Sequence, residues 1–504
     1  MIEQSGNLYW LLLRHRSRHS PEKRMLTRTS TQSLTGQLAD RLAERIRTRL
    51  LPPGARLPSV RECARQQGVS PYTVVAAYDQ LLAQGLVEAR RQRGFYVRDS
   101  APVQDTRSGQ GMEAGASGMP AAMAVQMLAS RVPADASSLI RSMFHRPSDK
   151  PQPGMGVFPP DWMASTFMPT AVRRMTSTAA LQELSLQYGE PAGDMSLRRS
   201  LSQKLVGINV PASPEQIVTT IGATHALDIV SRTLLRAGDP VMVEEPGWAL
   251  EFARLEALGM RILPVPRRAD GPDLEVMAQY CKLHSPKLFV SVSVLHNPTG
   301  YSLTPGSAHR VLKLANEHDF HIVEDDTYSH LAPEHATRLS ALDGLQRTIY
   351  VSGFAKILAP NWRIGFLAAP PALKERLLET KLLATLTTPT LFERALSWCI
   401  DQGQLRRHAE RIRIRLDGAR ARAVKLAMAH GCSFASEPAG LFGWVDTGVD
   451  TDALTQRMLD QGYLLAPGSL FHARRPPSTM MRINFATSQD AAFWKVFSKV
   501  RAEL

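Results

Sequence analysis

The chain has 504 residues, of which 44% are apolar and 21% charged, and its formal net charge is +14 at pH 7. This is an ordinary globular composition, which excludes collagen, a coiled coil and wholesale disorder. The charge is uneven, because residues 1–100 hold 17 Lys and Arg against 8 Asp and Glu, whereas the remaining four-fifths is nearly balanced. A basic N-terminal part points to contact with nucleic acid at that end.

Two further features exclude classes of protein. No apolar run approaches the ~18–20 residues of a membrane helix, and the longest N-terminal run, residues 8–13, is shorter than the ~7–15-residue core of a signal peptide. We therefore expect a cytoplasmic protein without membrane contact. The four cysteines form no C-x-x-C pair, so we expect buried, reduced thiols, with neither a disulfide framework nor a metal site.

In chain order, residues 1–30 mix arginines with His and Ser and are predicted to be a mobile basic arm. A four-residue apolar spacing then predicts a helix that ends before Pro52, with Leu34, Leu38, Leu42, Ile46 and Leu50 on one face. Residues 100–133, whose composition changes to Gly, Ala, Ser and Met, are predicted to be a linker.

Residues 31–99 carry the signals of two more helices and a hairpin. Ser59 is expected to cap a short helix that stops at Gly68, and Ser70 is expected to cap the next one. A basic hairpin tip between two short strands follows, with Arg90, Arg91 and Arg93 in it. Helix, helix, turn, helix and basic wing together predict a winged helix-turn-helix.

The arginines at the hairpin tip decide between two interpretations of this N-terminal part. It could be a small helical dimerisation domain whose charges are only solvated. Three arginines concentrated at one tip favour contact with phosphates or the minor groove instead. We therefore expect Arg90, Arg91 and Arg93 to contact DNA.

The stretches 53–61, 68–70 and 82–87 resemble the GntR-type DNA-binding domain. This resemblance implies double-stranded operator DNA as a partner. Many members carry an Arg directly after the helix-initiating Ser or Thr, where this chain has Pro71, so Tyr72 is expected to take its place. The further residues that would contact DNA by resemblance are Arg61, Ser70, Thr73, Arg93 and Gly94.

From residue 134 to residue 504 short β-branched runs alternate with longer helical patterns. The runs are Ile217–Thr220, Val241–Val243, Leu288–Leu295, Ile322–Val323 and Thr348–Val351. This alternation predicts an α/β domain with a mainly parallel sheet. Several runs end in polar clusters, and because ligands bind at the carboxyl ends of parallel strands, we expect these clusters to form one pocket.

Lys356 follows one of these runs, and the polar residues at the other strand ends distinguish it from an ordinary surface lysine. An aldehyde cofactor bound to a lysine imine also needs an anion site for its phosphate, a carboxylate at its ring nitrogen and donors to its ring oxygen. The strand ends supply a candidate for each of these: Gly222-Ala223-Thr224 and Arg363 for the phosphate, Asp325 for the ring nitrogen, and Asn297 for the ring oxygen.

These motifs, in this order, resemble the fold-type I pyridoxal-phosphate aminotransferases over residues 134–504. The resemblance implies pyridoxal 5′-phosphate as cofactor, with Lys356 as the imine lysine and Asp325 as the partner of the pyridinium nitrogen. The other implied contacts are Tyr188 with the phosphate in the partner subunit, Ala223, Thr224, Ser352 and Arg363 with the phosphate, Trp248 with the ring face, Asn297 and Tyr328 with the ring oxygen, and Arg482 with a substrate carboxylate. Two positions depart from the family pattern, where relatives usually have Gln at His225 and Ser or Thr at Gly353.

A GntR-like head joined to an aminotransferase-like body resembles the MocR branch of bacterial regulators. This implies a homodimeric, head-to-tail transcription regulator, associated with the nucleoid when bound to DNA, whose body senses an amino acid, an amine or the cofactor itself. A working aminotransferase with a DNA-binding appendage stays open, because Lys356, Asp325 and Arg482 are all present. A scaffold with a purely structural cofactor is disfavoured, since it leaves Arg482 without a role.

Overall fold

The computed structural model describes residues 33–47, 50–90, 93–98, 148–165, 167–176, 181–182 and 186–504. The chain divides between Asp149 and Lys150 into two compact units, here called the head and the body. The predicted arm, the predicted linker and the predicted start of the body at residue 134 lie outside the described residues. Within the described ranges, no helix has the length and apolar character that a membrane span requires.

The head consists of three helices and a hairpin. Its elements are α1 (Leu34–Arg47), α2 (Val60–Gln67), α3 (Pro71–Ala83), β1 (Val87–Arg90) and the antiparallel β2 (Gly94–Val97). The hydroxyls of Ser59 and Ser70 accept backbone N–H groups of Glu62 and Thr73, as expected of caps, and Gly68 ends α2 with φ 65°. The predicted winged helix-turn-helix is confirmed.

One apolar core joins all elements of the head. Leu38, Leu42 and Ile46 on α1 are buried in the same cluster as residues of α2, α3 and the hairpin. Tyr78 on α3 is fully buried, and its hydroxyl donates to Pro58 O at 2.9 Å. The four-residue spacing of α1 thus marks the face that packs against α3.

The body is built on an eight-stranded sheet. Its strands are β3 (Ile217–Thr220), β4 (Pro240–Glu245), β5 (Arg261–Arg268), β6 (Gly271–Pro272), β7 (Leu288–Ser291), β8 (His321–Asp325), β9 (Thr348–Gly353) and β10 (Gly365–Ala368). Their order is β3-β10-β9-β8-β7-β4-β5-β6. Strand β10 is antiparallel to β3 and β9, and β6 is antiparallel to β5, whereas the other neighbours are parallel. The predicted mainly parallel sheet is confirmed.

One predicted strand was too long. The run Leu288–Leu295 forms a strand only as far as Ser291. Beyond it the backbone leaves the sheet, with Leu295 at φ 51° and Ser293 O accepting from Leu303 N at 2.7 Å. Val294 in this loop is buried and Val292 and Leu295 are half-buried, so composition alone could not distinguish them from strand residues.

Helices cover both faces of the sheet. They are α4 (Pro160–Met163), α5 (Phe167–Met175), α6 (Met195–Val206), α7 (Ala223–Leu234), α8 (Ala249–Ala257), α9 (Leu274–His284), α10 (Pro305–His318), α11 (Leu339–Asp343), α12 (Pro371–Thr385), α13 (Thr390–Asp401), α14 (Gln404–Ala429), α15 (Thr451–Asp460) and α16 (Ala491–Ala502). Val241 and Val243 pack in one cluster with α7, α8 and α12, whereas Met242 packs in another with α9, α10 and α11. Burial on both faces explains why the strands are continuous apolar runs.

A smaller antiparallel sheet completes the body. It contains β11 (Ser433–Phe434), β12 (Phe442–Asp446), β13 (Ala466–Pro467) and β14 (Met480–Asn484), in the order β11-β12-β14-β13. Residues 152–157, here called the strap, are bonded to it. Asn484 N donates to Pro153 O at 2.9 Å, and Gly154 N donates to Leu464 O at 2.8 Å. The strap is therefore held on the small sheet by backbone hydrogen bonds.

The four cysteines, Cys63, Cys281, Cys399 and Cys432, are all buried, and no disulfide joins them. Their burial agrees with the prediction from the sequence. Burial raises the pKa of Cys281 to about 11 and the pKa of Cys399 and Cys432 to about 12. The thiols of Cys281, Cys399 and Cys432 are therefore uncharged at neutral pH.

Candidate functional site

Three neighbouring strands of the large sheet bring polar side chains into one cleft. Lys356 follows β9, Asp325 ends β8 and Asn297 lies in the loop after β7. Because β9, β8 and β7 are parallel neighbours, their carboxyl ends share one edge of the sheet. Asp325 is near enough to raise the pKa of both Lys356 and Tyr328 electrostatically. The structure thus brings together the side chains that the sequence analysis expected to converge.

Lys356 is a partly buried amine that faces the strap. Its Nζ donates a hydrogen bond to Gly156 O at 2.7 Å. Burial, together with the nearby charge of Arg482, lowers the pKa of Lys356 to about 8, and the charge of Asp325 opposes this effect. About a tenth of the amine is therefore uncharged at pH 7, far more than for an exposed lysine, and the uncharged form is the nucleophile.

Two adjacent carboxylates, Asp325 and Asp326, end up in different surroundings. Asp326 is fully buried, accepts from Arg338 Nε at 2.6 Å and accepts from the Tyr350 hydroxyl at 2.9 Å. Asp325 accepts the backbone N–H of Thr327 at 3.0 Å, and burial raises the pKa of Asp325 to about 6. No ion pair among the described residues includes Asp325. Asp325 is thus the carboxylate that can meet a cationic group in the cleft.

Asn297 connects a tyrosine to an arginine. Its Oδ1 accepts from Arg482 Nη1 at 3.1 Å, and its side chain is also hydrogen-bonded to the Tyr328 hydroxyl. Burial raises the pKa of Tyr328, so this hydroxyl keeps its proton at neutral pH. Asn297 and Tyr328 therefore lie side by side, as expected of two groups that meet the same ring oxygen.

Arg482, in the middle of β14, is buried, and no described residue pairs with it as an anion. Its guanidinium carbon lies 4.3 Å, 5.2 Å and 5.4 Å from the ring centroids of Phe442, Phe471 and Trp248. Nη2 donates to Gly154 O at 2.6 Å, while the buried Nε has no partner. Burial lowers the pKa of Arg482 to about 10, so the side chain still carries its charge at pH 7. A buried cation whose only acceptors are neutral is costly, and an anionic ligand would reduce that cost.

The strap passes between the two cations of the cleft. A Cβ atom on Gly156 would lie 3.5 Å from Lys356 Nζ, 3.5 Å from the Phe442 ring and 3.8 Å from Arg482 Nη2. The carbonyls of Gly154 and Gly156 thus contact Arg482 and Lys356 respectively. The sequence analysis missed the strap, whose only signal was the glycine pair at 154 and 156.

The start of α7 forms a cradle lined by Gly222, Gly353 and Gly365, where a side chain would come too close to neighbouring atoms. A Cβ atom on Gly222 would lie 2.7 Å from Arg363 Nη2, and one on Gly353 would lie 3.3 Å from Ala223 N. A Cβ atom on Gly365 would lie 2.4 Å from the backbone of Gly222. The bare N-terminus of a helix beside an arginine is a favourable place for a phosphate.

The other predicted phosphate ligands differ in position. Thr224 is exposed on the first turn of α7, and the guanidinium of Arg363 donates to Ile221 O at 3.1 Å, next to the cradle. Ser352 is not in the cradle, because its buried hydroxyl donates to Asp326 O at 2.9 Å. Side chains of β9 alternate in direction, so Gly353 rather than Ser352 lies against α7.

The remaining expected cofactor contacts are Trp248 and Tyr188. His225 stands where relatives usually have Gln, and no cofactor contact is predicted for it. Trp248 lies in the cleft beside Arg482. Tyr188 is 83% exposed, and its contact with a partner subunit stays a prediction. Nδ1 of His225 accepts from Ile221 N at 3.1 Å, so this ring is bonded to the backbone just before the cradle.

In the head, the first turn of α3 is exposed and uncharged. Tyr72 is 82% exposed, and the hydroxyls of Ser70 and Thr73 lie 2.8 Å apart. Helix α3 contains no Lys or Arg, whereas Arg61 is exposed at the start of α2. Helix α3 itself therefore offers no positive charge to DNA phosphates.

The wing arginines are not equivalent. Arg93 and Gly94 are exposed, whereas Arg90 is ion-paired with Glu88 at 2.7 Å and lies 4.5 Å from the centroid of the Tyr96 ring. The predicted contact Arg91 lies outside the described residues. Arg56, which the sequence analysis missed, is exposed beside the wing, where its Nε would lie 3.6 Å from a Cβ atom on Gly94.

Comparison with known proteins matches each unit to a family. Residues 156–497 match the family of class I and II aminotransferases, and residues 34–97 match the bacterial regulatory proteins of the gntR family. Both expected resemblances are therefore confirmed, and the larger match covers more than half of the chain.

Three relatives illustrate the two resemblances. The chain is 26% identical over 458 residues to the uncharacterized HTH-type transcriptional regulator YisV of Bacillus subtilis, covering 87% of this chain and 89% of YisV. It is 30% identical over 362 residues to the probable rhizopine catabolism regulatory protein MocR of Rhizobium meliloti, covering 71% of this chain and 70% of MocR. The kynurenine aminotransferase of Pyrococcus horikoshii, solved in complex with PMP, is 26% identical with a TM-score of 0.66, covering 75% of this chain and 96% of that one.

The pKa of Lys356 leads to a prediction about cofactor capture. Since only the uncharged amine attacks an aldehyde, the rate of pyridoxal phosphate capture by the cofactor-free protein should rise about tenfold per pH unit below pH 8 and level off above it. Stopped-flow absorbance measures this rate, with Lys356→Ala as the control for other lysines. A rate that rises without a plateau up to pH 10, as for an exposed lysine, contradicts the role of burial.

The environments of the wing arginines lead to a second prediction. Arg93→Gln should lower the slope of log affinity against log salt by about 0.9, on selected and random duplexes alike, because one phosphate contact is lost. Arg90→Gln, the matched variant, should lower it less, because Glu88 already neutralises Arg90. Fluorescence anisotropy across a KCl series checks both. Equal losses for the two variants would show that the Glu88 pair does not matter.

Proposed function

This chain belongs to the class I and II aminotransferase family and, through its GntR-family head, to the MocR-like branch of GntR transcriptional regulators, and we propose that its body controls DNA binding by sensing a small molecule. We further propose pyridoxal 5′-phosphate as the cofactor, an amino acid or amine as the effector, operator DNA as the target and the cytoplasm as the location. The observation that carries this proposal is Arg482, which lies in one cleft with Lys356 and is buried with no anionic partner among the described residues.

The residues of the cleft fit pyridoxal phosphate. The glycine-lined start of α7 and Arg363 suit its phosphate, Trp248 suits a ring face, and Asp325 has a raised pKa and no cationic partner among the described ion pairs. When bound, the cofactor supplies an aldehyde that joins amines covalently and a ring that withdraws electrons from them. We assign the lysine attachment to Lys356.

The chain's own groups have separate tasks in this proposal. Asp325 holds a proton at the ring nitrogen, because a buried carboxylate stabilises a cation beside it. Asn297 and Tyr328 donate to the ring oxygen. When Lys356 is not attached to the cofactor, its free amine, with a pKa of about 8, can exchange protons with a bound amine close to neutral pH. The strap keeps water from the space between Lys356 and Arg482.

Arg482 selects the effector by its charge. Its guanidinium is fixed by Asn297 and Gly154 O, and it can pair with a carboxylate through two parallel hydrogen bonds. An α-amino acid therefore fits with its amine towards Lys356 and its carboxylate on Arg482. Such a ligand competes with the two strap carbonyls for these cations, so the bound and free states differ in how the strap is held.

The dimer is the second part of the proposal. Leu186 and Tyr188 are 80% and 83% exposed on one short segment, which is unusual for large apolar side chains. We propose that this segment packs on a second copy of the chain in a head-to-tail dimer. There Tyr188 supplies a hydroxyl to the phosphate of the partner subunit.

A working aminotransferase with a DNA-binding appendage is the second candidate. It is favoured by one observation, the presence of Lys356, Asp325 and Arg482 in one cleft. The head is then unexplained, because a purely metabolic enzyme gains nothing from a winged helix-turn-helix. The relative YisV, matched over both units, favours regulation.

Arg482 separates the two candidates. In a sensor, Arg482→Ala should leave the absorbance of bound cofactor near ~420 nm and the basal DNA affinity unchanged and abolish the response of DNA affinity to amino acids. Arg482→Lys, which keeps a buried charge, controls for folding and should respond more weakly than the wild type. DNA affinity and keto-acid production are measured together, with and without amino acid.

The opposite outcome is equally specific. Sustained turnover at ordinary enzyme rates of ~1–10³ per second, with DNA affinity indifferent to the amino acid, contradicts the regulator and supports the enzyme. A shift in DNA affinity with slow or single half-turnover supports the regulator.

A further inference from the structure

Helix α14 holds the positive charge of the C-terminal four-fifths of the chain. Residues 101–504 contain 43 Lys and Arg and 38 Asp and Glu, a net charge of +5. The 26 residues of α14 contain eight Lys and Arg and two Asp and Glu, a net charge of +6. Without this helix, residues 101–504 would carry a net charge of −1.

The charges of α14 are arranged on one flank. At 100° per residue, five exposed basic side chains fall within about 80° of the helix circumference and extend over about 27 Å of its length. We call them the basic stripe: Arg407, Arg411, Arg415, Arg422 and Lys425. The two acidic residues of the helix, Glu410 and Asp417, lie about 110° away from the centre of this flank.

Most of the stripe is not neutralised. Arg415 is ion-paired with Asp161 at 2.6 Å. Arg407 and Arg422 donate to neutral oxygens, Gln402 O at 2.9 Å and Gln489 Oε1 at 3.0 Å. Arg411 lies 3.3 Å from the ring of His408, and both burial and Arg411 lower the pKa of His408.

Helix α16 lies close to the C-terminal part of α14. His430 Nδ1, directly after α14, is 2.6 Å from Ser498 Oγ of α16, and Arg422 of the stripe donates to Gln489, just before α16. Lys495 and Lys499 of α16 are also exposed.

Such an arrangement weakens the helix unless something compensates. Like charges three or four residues apart repel, and the stripe contains the spacings 407–411, 411–415 and 422–425. A polyanion relieves this repulsion and releases counterions from its own phosphates. Arginine, four of the five stripe residues, can grip a phosphate with two parallel hydrogen bonds.

We propose that the basic stripe of α14 binds backbone phosphates of duplex DNA outside the segment that the head recognises. This inference rests on the proposed DNA-binding function. The head and the body share one chain, so DNA bound by the head is present near the body at high effective concentration. The stripe contacts carry no sequence information, because phosphates are the same at every base pair.

The test compares two DNA lengths. The probes are a duplex of about 25 base pairs, selected from a random pool by the purified full-length protein, and the same sequence with random flanks to about 100 base pairs. The stripe variant carries Arg407→Gln, Arg411→Gln, Arg422→Gln and Lys425→Gln. The control variant removes four exposed charges elsewhere on the body, with Lys282→Gln, Lys287→Gln, Arg310→Gln and Lys313→Gln.

The stripe variant should lose affinity for the long duplex, with its salt slope reduced by about 3.6 if all four contacts are lost, and should bind the short duplex like the wild type. The control variant should match the wild type on both. If the stripe variant and the wild type have equal affinity for the long duplex, the inference is wrong, and an acidic protein surface becomes the alternative partner of the stripe. Equal losses in both variants overturn it too, as an effect of net charge. Failure of the wild type to select any duplex contradicts the proposed function itself.

Discussion

The ligand-binding part of the body is organised around a cation, Arg482, that is buried and has no anionic partner among the described residues. Isolating a guanidinium among aromatic rings costs several kcal/mol. Among the described residues, the groups that compensate are neutral, namely Gly154 O, Asn297 Oδ1 and the faces of three rings. A site that keeps such a charge in place before any ligand arrives favours an anionic ligand.

This constraint joins the two sheets of the body. Arg482 belongs to β14 of the small sheet, while Asn297, to which it donates, follows β7 of the large sheet. The strap is bonded to the small sheet and contacts Lys356 of the large sheet. Lysine, arginine and strap therefore form one unit, and a ligand that pairs with both cations changes contacts on both sheets.

Local signals in the sequence predicted much of this arrangement, and the remainder depended on contacts between distant residues. Strand ends and helix caps follow from nearby residues, so β8, β9 and the caps at Ser59 and Ser70 were predictable. The direction of the Ser352 hydroxyl depends on strand register, which residue types do not reveal. The choice of Asp325 rather than Asp326 as the partner of the ring nitrogen came from family resemblance. Its physical reason is Arg338, which pairs with Asp326 and not with Asp325.

The central claim is that the Lys356 cleft holds the cofactor, and the position of covalent attachment tests it most directly. The pKa of Lys381 is also lowered to about 8 by burial, yet this lysine is fully buried and donates to Pro191 O, whereas Lys356 is partly exposed. After incubation with pyridoxal phosphate, borohydride reduction and proteolysis, peptide mass spectrometry should find the phosphopyridoxyl group on Lys356 alone. Modification of Lys381, or no stoichiometric modification at Lys356, would contradict the account.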